Sequence, residues 1–148
     1  MFPVTRKRFT AYVIFYGSEH DGFWRIFTGR GWRHCCVIIP AYPEGRDLGA
    51  PVHSVCLNPL TWGVDLVLVP KHPLEVVDRE LGEGATAALS IPIDLDMKRL
   101  YVPRGLLTCV SLIKAALGMS GGWYVWTPKH LCRYLLRNGG QLIGKSNG

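Results

Sequence analysis

The sequence predicts an α+β domain, an antiparallel sheet packed with two C-terminal helices, and three observations predict it. The chain has 148 residues, the length of one domain at the usual ~100–200 residues each. Its first half breaks into short β-branched and aromatic runs bounded by Gly, Pro or Asp, whereas its second half carries two helix-start signals. With 48% hydrophobic and 19% charged residues, the chain has the apolar content that a packed core needs and disordered chains lack. One domain is expected over residues 1–138, followed by a loose tail over 139–148, where glycines, Ser146 and Asn147 accumulate.

In chain order, strands are expected at residues 9–16, 34–40, 52–58 and 64–69, with a short helix at 22–28 between the first two. Residues 41–50 (AYPEGRDLGA) hold a proline, two glycines and three charges between strand-like runs, the composition of a long hairpin loop. Residues 74–81 fit a helical turn and 86–94 a further strand. From Cys109, the apolar Leu112, Ile113, Ala116 and Leu117 recur on one helical face, with Thr108 as N-cap and Gly118 as the stop. Thr127 caps a second helix with Pro128 in its first turn, running through Leu131, Leu135 and Leu136 to Asn138 and Gly139.

Composition narrows the partners. The net charge of +6, from 17 basic and 11 acidic residues, favours an anionic partner, whether nucleic acid, wall polymer or acidic protein. No run approaches the ~18–20 uninterrupted apolar residues of a membrane span, so no integral membrane contact is expected. The basic start is followed by a short apolar run and then by Ser18, Glu19, His20 and Asp21, which does not make a signal peptide. Five cysteines without a CxxC pair point to reduced thiols and to neither a disulfide framework nor a closed metal site; no cofactor is expected. Trp24, Trp32, Trp62, Trp123, Tyr124 and Trp126 are expected mostly in or beside the core, with Trp32 and residues 123–126 as candidate groove walls. Together with Arg25, Arg30 and Arg33 they are the residue types that stack single strands, but no nucleic-acid motif accompanies them, so nucleic acid is not the expected partner.

One constellation carries chemistry. A thiol in the first helical turn meets the positive end of the helix dipole and unpaired N–H groups, both favouring thiolate, and Cys109 occupies that position. From position alone, a cysteine on a core-facing stripe is more often a small buried hydrophobe. His34 opens the second strand after the polar, glycine-rich residues 28–33; a histidine there is more often a structural hydrogen-bonder than a base. A hairpin centred near Arg46 puts Asn58 opposite His34, with Cβ atoms ~4.5–5.5 Å apart, and His53 near Ile39, too far to orient His34. An odd register error would turn Asn58 to the other face. Together, Cys109, His34 and Asn58 have the types of a nucleophile, a base and an orienting group.

The segments GWRHCCVIIP, VCLNPL, TCVSLIKAALGM and TPKHLCRYLL resemble the circularly permuted NlpC-type papain-like fold, whose permuted members place His before Cys. That superfamily includes bacterial cell-wall peptidases and lecithin retinol acyltransferase-like enzymes. The pattern is also similar to small bacteriophage-encoded proteins. The resemblance covers roughly residues 9–136 and implies Cys109 as nucleophile, His34 as base and Asn58 in the polar third position, where a carboxylate or histidine often stands. It implies a cysteine peptidase or amidase acting on peptide or peptidoglycan-like substrates, located in a virion or tail or in the host cytoplasm. The alternative is a catalytically silent papain-like structural or adaptor component that contacts phage structural proteins. The first oxyanion donor is expected to be the Cys109 N–H, with a second from Tyr101, Arg104 or Thr108.

Overall fold

A computed structural model describes residues 7–17, 32–42, 52–60, 63–95, 108–119 and 121–145. Six strands make one antiparallel sheet: β1 (Lys7–Tyr16), β2 (His34–Pro40), β3 (Ser54–Leu60), β4 (Gly63–Val69), β5 (Ala87–Leu95) and β6 (Gln141–Lys145), in the spatial order β4-β3-β2-β1-β5-β6. The described helices are α1 (Pro73–Gly82), α2 (Cys109–Ala116) and α3 (Pro128–Arg137). The domain is α+β with two helices near its C-terminus, as the sequence predicts, and the expected helical turn at 74–81 is a full helix of 10 residues. Among the described residues no helix is long and apolar enough to cross a membrane.

β1 lies in the middle of the sheet, and each of its faces contributes to a core. Phe9, Ala11, Val13 and Phe15 enter a core shared with α2 and α3 through Val110, Ile113, Leu131 and Leu135. Ile14 points the other way, with Cys36 and Ile38, beneath Val76 and Val77 of α1. The period-two alternation of a strand therefore sorts one sequence into two cores. Each fully buried aliphatic side chain contributes about 1.5–3 kcal/mol relative to exposure. The outer strand β4 has no such cover: Leu66 and Leu68 are 64% and 60% exposed.

The helix ends follow their chemistry. Pro73 occupies the first turn of α1, and the His72 ring accepts the Leu74 N–H at 3.2 Å. α2 stops at Gly118, whose φ of +68° suits glycine; the Gly118 and Met119 N–H groups return to the Ala115 and Lys114 carbonyls at 3.0 and 2.9 Å, a Schellman closure.

One expectation changes. Residues 139–148 read as a loose tail, yet Gln141–Lys145 form β6, paired with β5 through Leu142 and Leu89 and through Lys145 and Ala87. β6 is held by its ladder to β5 more than by burial, since Leu142 is half-exposed, so it leaves little hydrophobic pattern in the sequence. The expected helix at 22–28, most of the 41–50 loop, Trp24, Arg25, Arg30, Trp62, Tyr101, Arg104 and residues 146–148 lie outside the described residues.

Candidate active site

Cys109 is the first residue of α2. Thr108 before it is extended (φ −108°, ψ 162°), and its hydroxyl accepts the Ser111 N–H at 3.1 Å while the Ser111 hydroxyl accepts the Thr108 N–H at 2.8 Å. This reciprocal capping box satisfies the third N–H of the helix; those of Cys109 and Val110, at the first two positions, have no acceptor within the helix. The Thr108 N–H is consumed by the cap, so of the expected second oxyanion donors Thr108 offers only its hydroxyl.

α2 packs against β2, and Cys109 rests on the core cluster that contains Cys35 and Val37. His34 is the first residue of β2, paired with Tyr16 at the end of β1. β2 and β3 pair so that partner numbers add to 94 (Val37 with Leu57, Pro40 with Ser54), two more than a hairpin centred at Arg46 requires. The difference is even, so Asn58 keeps its face and reaches His34 along a diagonal. His34 Nε2 and Asn58 Oδ1 are 2.6 Å apart. An amide oxygen only accepts, so Nε2 carries the proton and Nδ1 is the ring atom left for the Cys109 sulfur, whose interaction with the imidazole raises His34. The structure thus brings Cys109, His34 and Asn58 together, whereas the His53 carbonyl accepts the Ala41 N–H at the far end of the hairpin.

The electrostatics favour a charged pair. The Cys109 thiol is lowered to about 5, first by a hydrogen bond from the Cys35 thiol, then by the hydrogen bond and positive charge of His34 and by the Cys35 N–H, against the opposing effect of burial. His34 is raised, chiefly by its hydrogen bond to Cys109 and secondarily by Asn58. Cys35 is driven well above the ordinary thiol range by its burial and by Cys109 beside it, so it stays a donor. Burial also pushes the Cys36 thiol up to about 12 and raises Cys56. Of the described cysteines with shifted values, Cys109 is the one poised as thiolate near neutral pH.

Two contributors escape a reading of residue types. Cys35 and Cys36 read as alternating strand residues, and they do alternate, but the alternation aims Cys35 at the Cys109 side of the sheet and Cys36 at α1. Tyr16 lies against the His34 ring, centroids 6.1 Å apart, while its hydroxyl donates to Glu80 at 2.8 Å; its cross-strand place opposite His34 is the signal that would have found it. Trp32 packs on Phe15 at 5.3 Å, a half-core position. A cavity of about 360 Å³ opens at the other end of α2, beside Leu117, Met119 and Tyr134, and none of the three site residues lines it. Among the described residues no three His, Cys, Asp or Glu side chains gather as a metal site would require.

No protein-family model matches the chain, and no curated protein and no solved structure matches it.

Proposed function

We propose that the protein is a cysteine hydrolase, a peptidase or amidase, with Cys109 as nucleophile, His34 as base and Asn58 as the group that orients the imidazole. The observation that carries this reading is the approach of His34 Nε2 to Asn58 Oδ1 at 2.6 Å, with the Cys109 thiol lowered to about 5 in part by the same imidazole. The sulfur, as thiolate beside protonated His34, attacks an amide carbonyl, and the oxyanion is met by the Cys109 N–H at the helix start. His34 gives its proton to the leaving nitrogen, which departs as amine. It then takes a proton from water as the water attacks the thioester, releasing the acid and restoring the thiolate. The resemblance to permuted NlpC-type enzymes and to phage proteins suggests peptidoglycan stem peptides as substrate and a virion or tail as setting. A papain-like adaptor without activity is the second reading, favoured by the amide at position 58, which stabilises imidazolium less than a carboxylate does.

Incubation with purified peptidoglycan tests the proposal. Cys109→Ala is expected to abolish release of stem peptides with the fold intact, and His34→Ala to lower it by on the order of 10²- to 10⁴-fold. At mildly acid pH, iodoacetamide is expected to label Cys109 well ahead of Cys35, Cys36 and Cys56. Equal, slow labelling of all the cysteines would remove the nucleophile and with it the hydrolase. Brisk Cys109 labelling without turnover of any peptide, in a protein present at fixed copy number in a particle, would select the adaptor.

A further inference from the structure

We infer that the turn between α2 and α3, together with the outer face of α3, is a docking surface for an anionic lipid bilayer, touched peripherally. This inference does not depend on the role given to Cys109.

Trp123 and Trp126 are 82% and 70% exposed, the most exposed large hydrophobic side chains among the described residues, and Tyr124 beside them is 49% exposed. The exposure is built into the turn. Val125 between them is buried and its N–H returns to the Gly122 carbonyl at 2.9 Å; the same carbonyl accepts the Lys114 ammonium at 2.7 Å. Gly122 has φ +73°, and a Cβ there would press on the Tyr134 ring at 3.1 Å and on Val125 at 3.2 Å. A turn fastened at three points thus holds two indoles in water, the kind of exposed aromatic patch that marks an interaction surface.

The segment that carries the turn and α3 holds charge of one sign, while Asp94 of β5, ion-paired with Arg8 at 3.6 Å, faces the same cavity as Gly121 and Tyr134. Residues 97–148 carry eight of the 17 basic residues and no acidic one. On α3, Lys129, Arg133 and Arg137 recur every four residues along one exposed stripe, with the exposed Leu136 beside them. An anionic partner is the complement of such a surface.

Ring geometry and the leucine choose between anionic partners. Successive bases stack on the faces of aromatic side chains along a single strand. Here Trp123 stands at 87° to Tyr124, and Tyr124 at 70° to Tyr134, so neither pair makes a continuous face. The exposed leucine neither stacks nor hydrogen-bonds. Edge-on aromatics, an aliphatic side chain and flanking Lys and Arg are instead what the headgroup layer of a bilayer accepts, the rings at the interface and the cations on the phosphates.

Cosedimentation of the whole chain with vesicles of equal parts phosphatidylglycerol and phosphatidylcholine, beside vesicles of phosphatidylcholine alone, tests this. Binding to the anionic vesicles is expected, weakening as sodium chloride is added. W123A/W126A and K129Q/R133Q/R137Q are each expected to weaken it by more than about tenfold without moving the thermal midpoint, because all five side chains are exposed. In the unaltered protein, lipids with brominated acyl chains are expected to quench tryptophan fluorescence, a measurement that needs no variant to fold. Failure to bind anionic vesicles at low salt, absence of quenching, or binding indifferent to both sets of substitutions overturns the inference. So does tight binding of a single-stranded oligonucleotide or a glycan strand through Trp123 and Trp126 without binding to vesicles.

Discussion

The Cys35 side chain is fully buried, yet its thiol is the largest single influence on Cys109. A neutral S–H beside a thiolate is a charge-assisted hydrogen bond, worth roughly 1.5–3 kcal/mol, which converts to about one to two pH units of thiolate stability. The sign follows from which form is favoured. The bond is much stronger while Cys109 is charged, so it extends the thiolate's range downward from the ordinary 9.0 towards about 5. Cys35→Ala is therefore expected to move the pH midpoint of Cys109 alkylation upward by roughly one to two units, while Cys35→Ser, which keeps a donor, moves it less. Rapid alkylation with an unmoved midpoint in Cys35→Ala would assign the lowering to His34 alone.

At the scale of elements, the start of α2 is where local sequence and site coincide. Thr108 makes the cap, the cap fixes where the helix begins, and the beginning fixes Cys109 at its positive end. Thr108→Ala is expected to cost about 1 kcal/mol in urea unfolding and to slow Cys109 alkylation as the first turn frays; an unchanged rate would show that the sheet alone holds the sulfur. This junction was legible in the sequence because it is local: a capping residue, a helical stripe and a stop glycine lie within a dozen positions. The pairing of His34 with Asn58 was legible for a different reason. The strand period is two, so the two-residue difference in the β2–β3 register preserved the face although the directly opposed partner was wrong. The function of Cys35 was not legible, because strand alternation states that neighbours point to opposite faces without stating what waits on either.

Across the whole molecule the least legible part was the closing strand. β6 returns along β5 because the chain turns tightly after α3, the Gly140 N–H bonding to the Leu135 carbonyl at 2.9 Å. A Cβ on Gly140 would stand 2.8 Å from that same backbone oxygen, which cannot move without distorting the last turn of α3. Gly140→Ala is expected to destabilise the domain by about 1–3 kcal/mol in urea unfolding and to raise amide exchange along β5, whose edge β6 covers. Wild-type exchange along β5 would mean that the strand re-forms around the added methyl.

The brevity of α2 has a consequence of its own. Its 8 residues span about 12 Å at 1.5 Å per residue, with the Cys109 sulfur at one end and the tryptophan-bearing turn just past the other. If those indoles settle into a membrane, the helix becomes a fixed spacer: the sulfur stands at a set altitude above the lipid, and a substrate of the proposed hydrolase must be presented at that height.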